Sequence, residues 1–544
     1  MRRGHSGAHG FLLHAHLPFV HHPDHGDFLE EDWFFEAVAE CYVPIIRMIE
    51  RLAAEGIPAP LTMSVSPPLC EMLANESLGK KLERFLASRA DLAEREAERL
   101  SGAPPFDRTA KLYVDLFSDA LEAACRGGGL LPRLRRLRDA GLLSLVTCNA
   151  THGYAPVLGR DESIDAQVAV AAANFEKHFG SRPEGIWLAE CGWIEGLDEI
   201  LLRNGIRTTF VDGHGLLRAD PAPSTGVHRP VRTPAGLRVF GRDDESSRQV
   251  WSSKEGYPGD ASYREFYRDL GYDAPYARIR RYLHSDGVRR NLGLKYHRVT
   301  GDVDLGLKMP YDPAAAAARA DEHAGNFLFN RERQVAHLAG LFGKEPFVLS
   351  PYDAELFGHW WFEGPLFLEC FYRRASAIAD PVLRPESPAA FLERAGEPGD
   401  VAEPHPSSWG DGGYSFVWLN GANDWIYRHL HHVEDRMAEA ARDFSAADGI
   451  VLRTLNQMAR ECLLAASSDW PFVMTMGTAV PYAEKRFRDH VSRFLGLEAS
   501  LRAGRPDERL LAECERLDPL FPEIDYRAFS GLLESVEEVV EGDR

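Results

Sequence analysis

The sequence predicts an α/β fold with a parallel sheet of the barrel kind, followed by a helical region. Between residues 10 and 212, short apolar segments alternate with segments of helical periodicity, a pattern typical of parallel strands joined by helices. Polar side chains fall repeatedly at or just after the strand ends, where the catalytic residues of a barrel cluster. These two observations together predict a site at the carboxyl ends of the strands.

Six apolar segments are predicted to be strands: 10–20, 61–66, 142–147, 185–189, 208–212 and 347–350. Each is short and apolar, as expected of strands buried on both faces. The polar residues at or near their ends are His14, His16, Ser66, His152, Glu190, Asp212 and Asp353. Because the strands are parallel, we expect these side chains to meet at one edge of the sheet.

Helical periodicity is predicted over 30–52, 164–179 and 197–204, with apolar residues spaced three or four apart. A charged helical stretch over about 76–138 is broken at Gly127–Gly129, and 396–413 is rich in Gly, Pro and Ser. We therefore predict a catalytic barrel over 1–395 with a helical insertion at about 76–138. A helical C-terminal domain is predicted over 396–544 and is expected to contribute to the substrate cleft.

The composition limits the classes of partner that the protein is expected to bind. The 544 residues include 62 basic and 82 acidic side chains, a net charge of −20. This charge argues against nucleic acid and against anionic membrane surfaces as partners. The eight cysteines are scattered and form no C-x-x-C pair, which predicts neither a zinc ribbon nor a disulfide scaffold. No signal peptide or membrane-spanning segment is recognised, so we expect a soluble cytoplasmic protein.

Two acidic residues in aromatic surroundings are the first candidates for catalysis. Glu190 follows an apolar strand between Trp187 and Trp193, and Asp353 follows another strand before Trp360 and Trp361. Two carboxylates at strand ends suit glycoside hydrolysis, in which one attacks the anomeric carbon and the other protonates the leaving oxygen. The alternative is that one of these acids only forms a salt bridge or caps a helix.

His14 and His16 are the second signal, because residues two apart on a strand face the same side. Such a pair could bind a metal ion or hydrogen-bond a substrate, and the spacing alone does not decide between them.

The remaining signals lie in the last third of the chain. Trp409 stands in a glycine-rich loop that suits binding, Trp418 could bind sugar or belong to the core, and Asp469 ends a helical segment.

These residues stand in ordered blocks that together resemble glycoside hydrolase family 57, and within it the 1,4-α-glucan branching enzyme group. The blocks include His14-Ala-His16-Leu-Pro18, Trp187-Leu-Ala-Glu190-Cys191, Ser350-Pro-Tyr-Asp353-Ala-Glu355, His359-Trp360-Trp361 and Ser467-Ser-Asp469-Trp470. They span most of the chain, and their number and order make the resemblance specific.

The resemblance implies an incomplete (β/α)7 barrel with a helical insertion and an all-helical C-terminal domain. It implies a retaining mechanism on an α-1,4-glucan, with Glu190 as the nucleophile and Asp353 as the general acid/base. It places His14, His16, His152 and His359 near the donor sugar, and Trp409, Trp418 and Asp469 against the substrate; Trp360, in the aromatic loop after Asp353, is also expected to bind substrate. No cofactor and no metal are implied.

One departure from the group bears on the reaction. A mobile loop after the fourth strand carries a tyrosine associated with transfer in the branching group, and the segment that corresponds to it here, 216–236, contains no tyrosine. The expected function is a branching enzyme, with an amylase-like α-glucan hydrolase of the same family as the alternative. A metal-dependent carbohydrate deacetylase and a non-catalytic glucan-binding protein are the alternatives from other classes. The sequence does not predict the oligomeric state.

Overall fold

The computed structural model describes residues 6–251 and 256–531. Residues 1–5 of the predicted barrel domain and 532–544 of the predicted C-terminal domain lie outside the described residues. Within the described ranges, no helix is both long and apolar enough to cross a membrane. All eight cysteines fall in these ranges and carry free thiols.

Nine strands form one sheet in the spatial order β6-β7-β5-β4-β3-β2-β1-β8, with β9 also pairing with β1. The strands are β1 (Gly7–Ala15), β2 (Leu61–Val65), β3 (Leu143–Cys148), β4 (Gly185–Trp187), β5 (Thr208–Val211), β6 (Val231–Arg232), β7 (Arg238–Gly241), β8 (Phe347–Asp353) and β9 (Leu383–Pro385). From β7 through β8 the seven neighbouring strands are all parallel, and β6 alone is antiparallel. The predicted incomplete (β/α)7 barrel is thus confirmed.

The barrel interior is a packed apolar cluster. It is formed by alternate residues of the strands, including Leu12, Val146, Trp187, Phe210 and Phe240. Trp187 is fully buried and lies at the carboxyl end of β4. One face of each strand packs into this cluster. The polar residues that follow the strands therefore lie at the carboxyl end of the barrel, beyond the apolar cluster, where a site can form.

The helices lie around the sheet and beyond it. They are α1 (Glu31–Ala37), α2 (Val43–Ala54), α3 (Pro67–Ala74), α4 (Glu76–Arg99), α5 (Phe106–Leu121), α6 (Leu130–Asp139), α7 (Asp161–Phe179), α8 (Leu197–Arg203), α9 (Gly213–Leu217), α10 (Asp244–Trp251), α11 (Leu270–Asp273), α12 (Tyr276–Ile279), α13 (Pro313–Phe342), α14 (Gly364–Ala377), α15 (Pro388–Ala395), α16 (Tyr427–Asp443), α17 (Gly449–Ala465), α18 (Asp469–Met476), α19 (Val480–Arg502) and α20 (Glu508–Leu517).

Helices α4 to α6 occupy the stretch that the sequence predicts as a helical insertion, and α16 to α20 make the region after residue 427 helical. The division into domains at residue 395 stays a prediction. Several elements were not predicted, among them helix α13 and strand β7. Helix α13 begins with an alanine run, which gives no apolar periodicity to read. Strand β7 (Arg238–Gly241) contains an arginine and a glycine among its four residues, so it does not form an apolar run.

Candidate active site

The carboxyl ends of four neighbouring strands bring polar residues together. His14 of β1 is aligned with Asp353 of β8 on one side and with Ser64 of β2 on the other. His152 follows β3, and its Nε2 lies 2.9 Å from Nε2 of His14. The parallel arrangement therefore gathers residues that are more than 300 positions apart in the chain.

Glu190 stands in a strained turn directly after β4. Its backbone has φ 59° and ψ 22°, and Cys191 (φ 54°) and His152 (φ 59°) share the left-handed region. Only five non-glycine residues among those described have positive φ, and His152, Glu190 and Cys191 are three of the five. Such a conformation costs about 1–3 kcal/mol per residue and persists where the surroundings demand it, which is common at functional sites.

The Glu190 carboxylate is held by two donors from the C-terminal part of the chain. The indole Nε1 of Trp409 donates to Oε2 at 2.8 Å, and the hydroxyl of Ser468 donates to Oε1 at 3.1 Å. His152 Nδ1 lies 3.6 Å from Oε1. Burial raises the pKa of Glu190 to about 7, while the Trp409 hydrogen bond acts to lower it.

Asp353 ends β8 and has different surroundings. Burial, and after it the charges of Glu355 and Glu190, raise the pKa of Asp353 well above its usual range, with only Arg242 acting in the opposite direction. Glu355 is fixed beside it, because its carboxylate accepts hydrogen bonds from the His16 backbone N–H at 3.2 Å and from the Tyr42 hydroxyl.

The two acids therefore differ in their surroundings. Hydrogen bonds from Trp409 and Ser468 act to lower the pKa of Glu190, which burial raises to about 7, whereas burial and two neighbouring carboxylates raise the pKa of Asp353 well above its usual range. When the environments of two carboxyl groups separate their pKa values, the group with the lower pKa can act as base or nucleophile and the other as acid. This arrangement can attack an acetal carbon and protonate its leaving oxygen.

Three histidines form one stack above the barrel core. The ring of His16 lies 3.8 Å from that of His152 at 13°, and His14 lies 5.1 Å from His152 at 15°. Burial holds the pKa of both His14 and His152 well below the usual range, so both are neutral. The side chains of His14 and His152 are buried, so the stack is a fixed part of the site.

The same histidines are grouped closely enough with Cys148 and Asp469 to consider a metal ion. Every ring nitrogen of the three already has a hydrogen-bond partner, however: His14 with Ser64 and His152, His16 with Ser66 and Asp469, and His152 with Ser468 and His14. A metal ligand must present a free lone pair, so this donor set fits hydrogen bonding better than metal binding.

Asp469 joins the C-terminal region to this stack. Its carboxylate lies 3.1 Å from His16 Nε2 and accepts a hydrogen bond from Ser467 at 2.6 Å. Burial alone would raise the pKa of Asp469, but His16 and the hydrogen bonds lower it to about 2. Its negative charge in turn helps to raise the pKa of Glu190.

His359 and Trp360 lie on the loop that follows Asp353. His359 Nδ1 is 3.0 Å from Glu40 Oε2, and the guanidinium of Arg264 pairs with the same carboxylate at 3.4 Å. Glu40 belongs to a one-turn π-type widening, Val38–Tyr42, between α1 and α2; such widenings are frequent at functional sites. The Trp360 side chain is 55% exposed.

Trp418 lies in the protein interior, and its predicted contact with substrate stays a prediction. The side chain is 1% exposed, its ring packs against Tyr154 at 4.5 Å, and it belongs to a small apolar cluster. Trp187, Trp193, Trp361 and Trp470 are likewise fully buried. Burying a large indole ring contributes strongly to folding, and these five rings are buried by contacts within the chain.

Several residues around the site were missed from the sequence. Glu40, Tyr42 and Arg242 lie outside the strand ends that were examined, and Glu355 was noted only as part of a motif. Arg242 reaches across to the ring of Trp409 at 5.8 Å and donates to Asp212 at 3.1 Å. Its position immediately after β7 would have signalled it, had that short strand been recognised.

Comparison with known proteins gives the family. A family model described as glycosyl hydrolase family 57 matches residues 10–379, and a model described as 1,4-alpha-glucan branching enzyme, C-terminal, matches residues 429–529. A 1,4-alpha-glucan branching enzyme of Thermococcus kodakarensis is 33% identical, with 94% of this chain and 77% of that protein aligned.

Two solved structures are similar over nearly the whole chain. The alpha-amylase AmyC from Thermotoga maritima superposes with a TM-score of 0.90 at 42% identity, covering 96% of this chain and 99% of that one. A branching enzyme of the same family from Pyrococcus horikoshii superposes with a TM-score of 0.85 at 32% identity, covering 96% and 97%.

Proposed function

Because the chain belongs to glycosyl hydrolase family 57, we propose that it is a retaining 1,4-α-glucan branching enzyme in which Glu190 is the nucleophile and Asp353 the general acid/base. The observation that carries the assignment of roles is the asymmetry of the two carboxylates: Glu190 accepts hydrogen bonds from Trp409 and Ser468, whereas Asp353 is raised in pKa by burial and neighbouring charges. Its substrate is an α-1,4-glucan such as amylose.

The reaction proceeds in two displacements. Ionised Glu190 attacks the anomeric carbon while protonated Asp353 gives its proton to the glycosidic oxygen, and the carbon–oxygen bond breaks. A glucosyl ester forms on Glu190, and Asp353 is left as a carboxylate. Asp353 then takes the proton of a 6-hydroxyl on another glucan segment, whose oxygen displaces Glu190 and forms an α-1,6 branch.

The other side chains of the cleft hold the sugar. The stacked rings of His14, His16 and His152 form one wall beside the sugar at the scissile bond, and His359 extends this set beside Glu40. Asp469 fixes His16, and Trp409 both holds the nucleophile and offers a half-buried ring face. Positioning of this kind supplies much of the rate enhancement, because it orients the anomeric carbon before reaction.

A hydrolase is the second candidate, and two observations favour it. The segment 216–236 contains no tyrosine, and the similar Thermotoga maritima structure is described as an alpha-amylase. In support of branching, a tyrosine reaches this segment from elsewhere in the chain: Arg218 Nη1 donates to the Tyr414 hydroxyl at 2.5 Å. Tyr414 follows the glycine-rich loop that begins at Trp409, so it ties the segment to the catalytic cleft.

Product linkage analysis on amylose tests the proposal. Branching creates one α-1,6 linkage per bond cleaved and leaves the number of reducing ends nearly constant, whereas hydrolysis raises reducing ends one for one. Glu190→Gln serves as the control for contaminating activity. Turnover by Glu190→Gln equal to wild type would instead favour a protein that binds glucan without catalysis, and activity abolished by chelation would favour the metal-dependent deacetylase.

A further inference from the structure

Trp360 forms the outer layer of a built aromatic stack at the rim of the cleft. Its indole lies parallel to the ring of Phe266, with centroids 4.6 Å apart and an interplanar angle of 16°. His359 meets both rings edge-on, at 5.3 Å from Phe266 and 5.7 Å from Trp360. The indole is held in one orientation although 55% of its side chain is exposed.

The stack is anchored from inside the protein. The ammonium of Lys295 lies 4.2 Å from the centroid of Phe266, and Lys295 is only 2% exposed. A cation and a parallel indole at these distances must occupy opposite faces of the phenyl ring. A desolvated cation over an aromatic face is worth about 2 kcal/mol, so Phe266 is a fixed support and Trp360 presents one free face to solvent.

The platform is coupled to the catalytic loop. Trp360 lies seven residues after Asp353, and its backbone N–H donates to the Glu355 carbonyl at 3.1 Å. The Glu355 carboxylate is bound in turn by the His16 backbone. Tyr267, 67% exposed, stands edge-on to Phe266 at 5.2 Å, so a second exposed ring adjoins the same phenyl support.

We propose that the free face of Trp360, flanked by Tyr267, is a remote subsite that binds a glucosyl unit of a long α-glucan chain and so selects long chains over short ones. The inference rests on the proposed function. A flat, rigid, apolar face beside a phenolic hydroxyl matches a pyranose, which has an apolar face and equatorial hydroxyls. The continuity of this surface with the loop that carries Asp353 places a chain bound there on the way to the cleft.

Chain-length dependence tests the subsite. For Trp360→Ala and wild type, kcat/KM is measured on maltooligosaccharides of increasing defined length and on amylose. Covering roughly 50 Å² of apolar ring surface corresponds to about a tenfold change in binding. We expect the ratio of variant to wild-type kcat/KM to fall to about one tenth on amylose and on oligosaccharides above a threshold length, mainly through KM.

Matched variants separate a platform from a structural role. Trp360→Phe retains a ring on the stack and is expected to recover most of the loss, and Phe329→Ala removes an exposed ring on α13 (52% exposed) as a control without effect. A loss equal at all chain lengths, or no loss on amylose, overturns the proposal. So does conversion of an oligomer to a monomer by Trp360→Ala in sedimentation, because the patch is then a subunit interface.

A binding measurement keeps this inference distinguishable from the proposed function. Amylose affinity is measured by gel retardation in a Glu190→Gln background, with and without Trp360→Ala, so that no turnover occurs. If wild type fails to act on amylose, the proposed function is wrong, but the change in gel retardation caused by Trp360→Ala still shows whether Trp360 binds amylose. If wild type is active and Trp360→Ala leaves retardation unchanged, the subsite fails alone.

Discussion

Replacement of Trp409 by phenylalanine removes the hydrogen bond that most directly favours the ionised form of Glu190. The bond is 2.8 Å long and its donor is half-buried. A hydrogen bond to a charged group contributes about 1.5–3 kcal/mol, and one pKa unit corresponds to about 1.36 kcal/mol. We therefore expect the pKa of Glu190, which is about 7 with the bond in place, to rise by about one to two units.

The sign of the effect on the pH profile follows from the roles of the two acids. Cleavage requires Glu190 ionised and Asp353 protonated, so the acid limb of kcat/KM reports Glu190 and the alkaline limb reports Asp353. Trp409→Phe moves the acid limb to higher pH and leaves the alkaline limb in place. At a fixed pH on the acid limb, kcat/KM on amylose falls about 10- to 100-fold, while the decline near the pH optimum is smaller.

The assay is the pH dependence of kcat/KM on amylose, with phenylalanine chosen because it keeps an aromatic face for the sugar. Ser468→Ala is the graded control, since its hydrogen bond to Glu190 is longer, at 3.1 Å, and lowers the pKa of Glu190 less than the Trp409 bond does. It is expected to shift the limb by about half a unit to one unit. A uniform decline at all pH values with an unmoved limb, or a limb moved to lower pH, would refute the reasoning.

Three further predictions follow from the same contacts. Asp353→Asn cannot donate a proton and is expected to lose about 10²- to 10⁴-fold in kcat on amylose, but far less on an aryl glycoside whose leaving group needs no proton; equal losses on both substrates would exclude the acid role. Trp418→Ala is expected to lower the free energy of unfolding by about 3–5 kcal/mol, measured by denaturant titration, whereas a substrate-binding ring at the surface would change KM and leave stability intact. Tyr414→Phe frees Arg218 and the segment 216–236 and is expected to raise reducing ends relative to α-1,6 linkages about two- to fivefold; an unchanged ratio would mean that Tyr414 has no part in excluding water.

The sequence was sufficient for the part of the site that strands carry. Parallel strands place their carboxyl ends at one edge, so a polar residue after each apolar segment already implied that His14, His152, Glu190 and Asp353 would meet. It was insufficient for contacts made by side chains from distant loops. Trp409 and Ser468 bind Glu190 across 219 and 278 positions, and no periodicity relates such residues.

The tryptophans mark another limit of the sequence. Seven of the 10 lie in or near the segments proposed for the sugar site, and Trp360, Trp409 and Trp418 are expected to bind substrate. Trp418 and four others of the seven are nevertheless buried. Whether an indole binds sugar depends on which of its faces remains open after packing. Trp409 keeps an open face because it stands in a glycine-rich loop. Trp360 keeps an open face because its other face stacks on Phe266, which the buried Lys295 supports from below.

The proposed nucleophile, Glu190, is held by both parts of the chain. The barrel strands supply both carboxylates, but Trp409 and Ser468, which donate hydrogen bonds to Glu190, come from beyond residue 396. Both bonds act to lower the pKa of Glu190, while the pKa of Asp353 has no such contribution among its causes. On the proposed roles, the polar contacts between the barrel and the C-terminal region therefore separate the pKa values of the two acids, which a retaining mechanism needs.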